Sequence, residues 1–160
     1  MMIRLERILF PTDFSDFALP AQQYAAELAN RLGSTLHLLN VVQDIEMISP
    51  DPASPFLLPT GQLPELMAAT QENLNSLAQP LQDTGLQVVT AVRSGVPFLE
   101  ILQYAEEQAI DLIVLGTHGR TGLAHVLLGS TAERITRKSP CPVLTVRPQA
   151  LKAHAAQSEA

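Results

Sequence analysis

The chain of 160 residues has the length of one domain and can bury a core without metals or disulfides. Apolar residues make up 46% of it and charged residues 16%, which excludes a disordered chain, and a net charge of −6 makes it a poor partner for nucleic acid. The single cysteine fits a reducing compartment, and the absence of a leader pattern and of a membrane-length apolar run predicts a cytoplasmic protein away from membranes.

The first third of the chain predicts a strand, a helix and a second strand. Ile8–Phe10 is a short apolar run that ends at Pro11. From residue 17 to residue 32, apolar residues follow at helical spacing, and Gly33 is placed to cap that helix. The apolar run 36–42 predicts the second strand.

Residues 43–62 have a different composition, with four prolines and no clear period. They predict a long surface loop, because such a segment has neither helical nor strand periodicity. Two interpretations remain open for it: a mobile functional segment and a variable insertion without a role.

The remaining sequence repeats the alternation of helices and strands. The predicted helices are 63–85, 98–109 and 130–138, the predicted strands are 86–92, 112–115 and 142–146, and the residues from 148 onward predict a frayed tail. Alternating strands and helices indicate a parallel sheet with helices on both faces. We expect one domain, residues 1–147, as a Rossmann-like three-layer α/β/α sandwich whose five-stranded sheet has the order 3-2-1-4-5.

Glycines are concentrated after the fourth predicted strand, at positions 116, 119, 122 and 129, and Gly129 precedes Ser130 and Thr131. Glycines allow main-chain N–H groups to approach a ligand, and a helix N-terminus favours phosphate. A plain tight turn explains the same glycines equally well. Neither a P-loop nor a GxGxxG fingerprint is present.

The expected strand order brings this glycine stretch opposite the turn at residues 11–15. Ligands of open parallel sheets bind where the strand order reverses, here between the first and fourth strands. Asp13 would supply a carboxylate there for a ribose hydroxyl or an adenine amino group. Its alternative role is the N-cap of a helix, but the opposite loop favours the ligand contact.

The spacing Gly116-x2-Gly119-x9-Gly129-Ser130 resembles the nucleotide-binding signature of the universal stress proteins. The turn Pro11-Thr12-Asp13-Phe14-Ser15 is similar to the first loop of that family, and residues 127–134 and 141–144 are similar to its closing segments. The resemblance extends over residues 3–147.

The resemblance implies an ATP-binding subgroup and a set of contacts. Asp13 and the main chain at Val41 would hold the adenine and ribose, and the glycine stretch would surround the phosphates, with Mg²⁺ or Mn²⁺ held through them. The four histidines lack the spacing of a zinc site. The expected nucleotide-binding residues are Pro11, Thr12, Asp13, Val41, Gly116, His118, Gly119, Arg120, Gly129, Ser130 and Thr131.

These features predict a nucleotide-dependent regulatory switch in stress response, acting on an unidentified protein partner. Two other interpretations stay open: a slow ATPase or phosphotransferase that phosphorylates Ser130 or Thr131, and a nucleotide-free dimeric scaffold. Arg120 is either a phosphate clamp or a solvated loop residue, and no catalytic base is identified.

Two further expectations concern the fifth strand. Its apolar edge, formed by Val143, Leu144, Thr145 and Val146, predicts a homodimer, which the resemblance also implies. Cys141 lies before this strand and is interpreted as a buried structural thiol rather than a redox switch.

Overall fold

The computed structural model describes residues 2–43, 62–118 and 128–149, and within these ranges strands and helices alternate as predicted. The strands are β1 (Arg7–Pro11), β2 (Thr35–Val42), β3 (Val88–Ser94), β4 (Leu112–Gly116) and β5 (Val143–Val146). The helices are α1 (Leu19–Leu32), α2 (Leu63–Asp83), α3 (Pro97–Glu107) and α4 (Ser130–Lys138), and a 3-10 turn (Asp16–Ala18) precedes α1.

The five strands form one parallel sheet of order β3-β2-β1-β4-β5, which confirms the predicted fold. Alternate residues along β1 face opposite layers: Ile8 and Phe10 pack against α1 and α2, and Leu9 packs against α3 and α4. All three side chains are fully buried. The sheet is therefore covered on both faces, and its strand order reverses between β1 and β4.

Helix α1 packs closely on the sheet because its inner face consists of small residues. Ala21, Ala25 and Ala29 recur at intervals of four and are fully buried. Gly33 ends the helix at φ +67°, a left-handed conformation that favours glycine, which confirms the predicted cap.

Helices α2 and α3 each end two residues before their predicted ends, α1 begins two residues after its predicted start, and one strand is shifted at both ends. Strand β3 begins and ends two residues later than the predicted range 86–92. Leu86 is buried before the strand starts, so its apolar character reflects the core and not strand pairing. The strand continues past Val92, with Arg93 paired to Val41 of β2. The charge of Arg93 is compatible with this position because it forms an ion pair with Glu107 of α3.

Three segments with earlier predictions lie outside the described residues: most of the expected loop, the middle of the glycine stretch and the end of the expected tail. No helix in the described part of the chain combines the length and hydrophobicity needed to cross a membrane.

Candidate functional site

A cleft of about 710 Å³ opens at the carboxyl ends of the strands, where the strand order reverses. This is the position at which the sequence places a ligand site. Nine of the eleven expected nucleotide-binding residues line the cleft: Pro11, Thr12, Asp13, Val41, Gly116, His118, Gly129, Ser130 and Thr131. Gly119 and Arg120 lie outside the described residues, so their roles remain predictions.

The turn after β1 is fixed by hydrogen bonds to the neighbouring strand and within itself. The Thr12 N–H donates to the carbonyl of Leu39 at 2.9 Å, and the Asn40 side-chain amide donates to the carbonyl of Thr12 at 2.7 Å. The Phe14 N–H donates to the Thr12 hydroxyl at 3.0 Å while Phe14 adopts φ +61°. A left-handed conformation is unfavourable for phenylalanine, so these bonds hold the turn in one shape.

Asp13 stabilises this turn from within. One of its carboxylate oxygens accepts hydrogen bonds from the N–H of Ser15 at 2.9 Å and from the Ser15 hydroxyl at 2.6 Å. Helix α1 begins after Ala18 without a side-chain cap, so the alternative that Asp13 caps this helix is wrong. The half-buried carboxylate therefore lines the cleft with its orientation set by Ser15.

Gly116 ends β4 at a point of close packing. A Cβ atom there would lie 3.3 Å from the carbonyl oxygen of Phe17, so glycine lets the 3-10 turn lie directly against the strand. Gly116 therefore has a packing role in addition to its place in the cleft wall.

Thr117 joins the two ends of the glycine stretch. Its N–H donates to Val146 of β5 at 3.1 Å, and its carbonyl accepts from the N–H of Gly129 at 2.7 Å. Its hydroxyl lies 2.9 Å from Nδ1 of His118. The start of α4 is consequently fixed beside the end of β4.

Helix α4 begins at the cleft without a side-chain cap. Gly129 precedes it with φ −64° and ψ 157°, and Ser130, Thr131 and Ala132 of its first turn line the cleft. The first N–H groups of a helix have no partner within the helix and lie at the positive end of its dipole. This part of the cleft is therefore suited to an anion.

The opposite wall contains residues that the sequence analysis did not identify. Helix α2 contributes Leu66, Thr70 and Asn73, and Asn40 lies at the base of the cleft. The rotation of α2 depends on packing and leaves no local signal. Asn40 did carry a signal, since it is a lone amide within the apolar run of β2.

A half-buried thiol lies apart from the cleft. Burial raises the pKa of Cys141, and its N–H donates to the Ser139 hydroxyl at 3.2 Å. The thiol is half-buried and not fully buried as expected, but its raised pKa lowers the thiolate fraction, which supports a structural role over a redox one. Within the described ranges, no three His, Cys, Asp or Glu side chains are grouped as a metal site.

Comparison with known proteins gives a family match along most of the chain. The model of the universal stress protein family matches residues 4–147. Universal stress protein MJ0531 of Methanocaldococcus jannaschii is 36% identical over 148 residues, which cover 89% of this chain and 82% of that protein. The solved structure of universal stress protein UspA from Lactobacillus plantarum has a TM-score of 0.75 and 30% identity, covering 91% of this chain and 100% of the other.

Two more distant structures contain adenine nucleotides. A universal stress protein from Archaeoglobus fulgidus was solved in complex with dAMP, with a TM-score of 0.61, 19% identity and coverage of 90% and 98% of the two chains. Another universal stress protein was solved in complex with cAMP, with a TM-score of 0.63, 22% identity and coverage of 91% and 99%. At these identities the likeness to this chain is one of fold.

Proposed function

Because the chain belongs to the universal stress protein family, we propose that it binds ATP in the cleft between β1 and β4 and that nucleotide occupancy acts as a regulatory switch in stress response. One observation carries the proposal: the rigid turn of Asp13 and the uncapped start of α4 line the same cleft. A carboxylate and a helix N-terminus are complementary to two polar parts of a nucleotide, its ribose hydroxyls and its phosphates.

The sheet order sets the direction of the nucleotide. Strand β2 lies on one side of β1 and β4 lies on the other, so the ends of β2 and β4 are about 10 Å apart at ordinary strand spacing. We place the adenine against Val41 and Leu39 at the end of β2, and the phosphates at Ser130 and Thr131. Asp13 follows the strand between them, where the ribose would lie.

The phosphate end fits a metal that is held mainly by the nucleotide. The described lining near this end offers the hydroxyls of Thr117, Ser130 and Thr131, which are oxygen ligands of the type that Mg²⁺ prefers. Magnesium keeps several waters and is commonly bound through substrate phosphates. We therefore propose Mg²⁺, or Mn²⁺, as a companion of the phosphates that reduces their mutual repulsion.

The distant relatives support adenine nucleotides as the ligand class, since dAMP and cAMP occupy proteins of this fold. We propose ATP because the main-chain N–H groups of α4 and the predicted glycine spacing provide donors for more than one phosphate.

We also propose that the switch is a cytoplasmic homodimer. Strand β5 is an edge strand, and the carbonyls of Val146 and of Pro142, the residue just before the strand, accept hydrogen bonds from the β4 side. Main-chain groups alternate in direction along a strand, so those of Val143 and Thr145 point away from β4. A second copy would pair with these groups across a two-fold axis, and a regulatory protein would recognise the nucleotide-bound dimer.

The test is a titration of the purified protein with ATP and Mg²⁺ by calorimetry, together with mass spectrometry of any small molecule that co-purifies. Saturable binding of ATP supports the proposal. Sustained phosphate release beyond one equivalent per chain would favour the slow ATPase instead, and phosphate on Ser130 or Thr131 the phosphotransferase. Absence of any adenine nucleotide affinity would contradict the proposal and favour the scaffold.

A further inference from the structure

The guanidinium of Arg134 is held on the aromatic ring of Phe98, at the first turn of α3. Its guanidinium carbon lies 4.9 Å from the centre of the Phe98 ring, within the range of a cation–π contact. Phe98 follows Pro97, which lines the cleft at the first turn of α3. The ring therefore holds a positive charge at a residue adjacent in sequence to the cleft lining.

Helix geometry directs this charge toward the phosphate end. Arg134 follows Ser130 by four residues, so the two side chains lie on the same face of α4. Because the Cα–Cβ bonds of a helix tilt toward its N-terminus, the Arg134 side chain starts out in the direction of the turn that contains Ser130. Ser130 lines the cleft, at the position we assign to the phosphates.

The charge of Arg134 is not used by an ion pair within the described residues. The adjacent carboxylate, Glu133, pairs with Arg137 at 3.0 Å on another part of the helix surface. The second cation near the ring is Lys138, with its ammonium 5.8 Å from the ring centre and one helical turn farther from the cleft. Arg134 is thus the cation on this ring that lies nearer to Ser130 in the helix.

We propose that Arg134, positioned by Phe98, is the specificity-determining residue that favours ATP and ADP over AMP by contacting the phosphates beyond the first. This inference rests on the proposed function, because it assigns a role within the same site. The α4 N-terminus holds the phosphate nearest to it, and the planar guanidinium adds paired donors for the next one. The arrangement selects for the number of phosphates, not for the base.

The experiment compares the Kd values of ATP, ADP and AMP for the wild type, Arg134→Gln and the matched control Arg137→Gln, which removes the same charge from the same helix. We expect Arg134→Gln to weaken ATP binding about five- to tenfold and AMP binding less than about twofold, since a charge-assisted hydrogen bond is lost only for the longer nucleotide. Arg137→Gln should leave the ratio of the two Kd values unchanged.

Two conservative variants separate charge from packing. Arg134→Lys should retain part of the preference for ATP because the charge remains without the planar fork. Phe98→Leu keeps an apolar side chain but removes the ring, and should lower the preference for ATP without changing AMP binding. Equal losses for ATP and AMP in Arg134→Gln, or equal effects of Arg134→Gln and Arg137→Gln, would overturn the inference alone. A wild type without nucleotide affinity would overturn the proposed function and this inference with it.

Discussion

Asn40 and Thr12 are joined by a hydrogen bond of 2.7 Å from the side-chain amide of Asn40 to the carbonyl of Thr12, and both residues are buried. The bond ties the end of β2 to the turn that carries Asp13. β1 and β2 thus both hold this turn, which fixes the position of Asp13.

The first prediction is that Asn40→Leu destabilises the protein. The carbonyl of Thr12 loses its amide donor, so the free energy of unfolding should fall by about 1–3 kcal/mol. Urea denaturation measures this. Asn30→Leu, at an exposed position of α1, is the control and should change stability by less than about 0.5 kcal/mol. Equal effects at the two positions would contradict the role of the Asn40 bond.

The second prediction concerns the charge of Asp13. Asp13→Asn retains a side-chain oxygen that can accept from Ser15 but removes the charge offered to the ribose, so the affinity for ATP should fall about tenfold while the fold persists. Calorimetric titration measures the affinity. Asp16→Asn removes an exposed acid from the same segment and should bind like the wild type. Unchanged affinity in Asp13→Asn would show that this carboxylate serves only its turn.

The third prediction is that Gly129→Val abolishes nucleotide binding but leaves a folded protein. The backbone at Gly129, φ −64° and ψ 157°, is one that valine adopts readily, so folding should tolerate the change. We expect the new side chain to crowd the part of the cleft that Gly129 lines, where we propose the phosphates. Circular dichroism and titration with ATP separate the two effects, and Gly129→Ala should be intermediate. The matching prediction for Gly119→Val rests on the sequence alone.

The fourth prediction tests the proposed dimer through Thr145. The Thr145 N–H points away from β4, so Thr145→Pro removes a donor from the outer edge and leaves the β4 ladder intact. Analytical ultracentrifugation should show a monomer for Thr145→Pro and a dimer for Thr145→Val, which keeps the N–H. A dimer in both variants would place the interface elsewhere, and a monomeric wild type would refute the dimer itself.

The fifth prediction concerns acid stability through His37. Burial first, and the charge of Arg7 second, lower the pKa of His37, whose Nδ1 lies 2.9 Å from the Tyr104 hydroxyl. The unfolded chain takes up this proton near pH 6.5, before the folded protein does. His37 therefore does not reduce the free energy of unfolding above about pH 6.5. Below that pH, the free energy of unfolding falls as the pH drops toward the lower pKa that His37 has in the folded protein.

Urea denaturation of the wild type and His37→Gln at pH 7.5 and pH 5.5 checks the fifth prediction. The loss of stability between these pH values should be smaller in His37→Gln, because all other titrating groups are common to both proteins. An identical loss would show that His37 does not contribute.

The sequence predicted the layers and strand order because apolar runs and helical spacing mark the elements directly. The predicted range of β3 begins two residues too early because Leu86 is buried in the core but does not belong to the strand. It ends two residues too early because Arg93, a charged residue, forms an ion pair with Glu107 of α3. Such long-range compensation has no signature in a local pattern.

The candidate site was predictable where the chain itself forms the cleft, at the turn of Asp13 and at the start of α4. The α2 wall was not predictable, since the position of Thr70 and Asn73 depends on how that helix rotates on the sheet. The Phe98–Arg134 contact likewise joins two helices that are distant in sequence. The sequence pattern therefore locates the helices and strands, but it does not show which side chains of different helices meet.

The hydrogen bond of 2.7 Å from the Gly129 N–H to the Thr117 carbonyl holds these two residues together. Because this bond is direct, the chain leaves the end of β4 and begins α4 at one place. Residues 117 and 129 themselves therefore anchor the first turn of α4 beside β4, and a substitution that breaks this bond should move that turn before it disturbs the strand pairing.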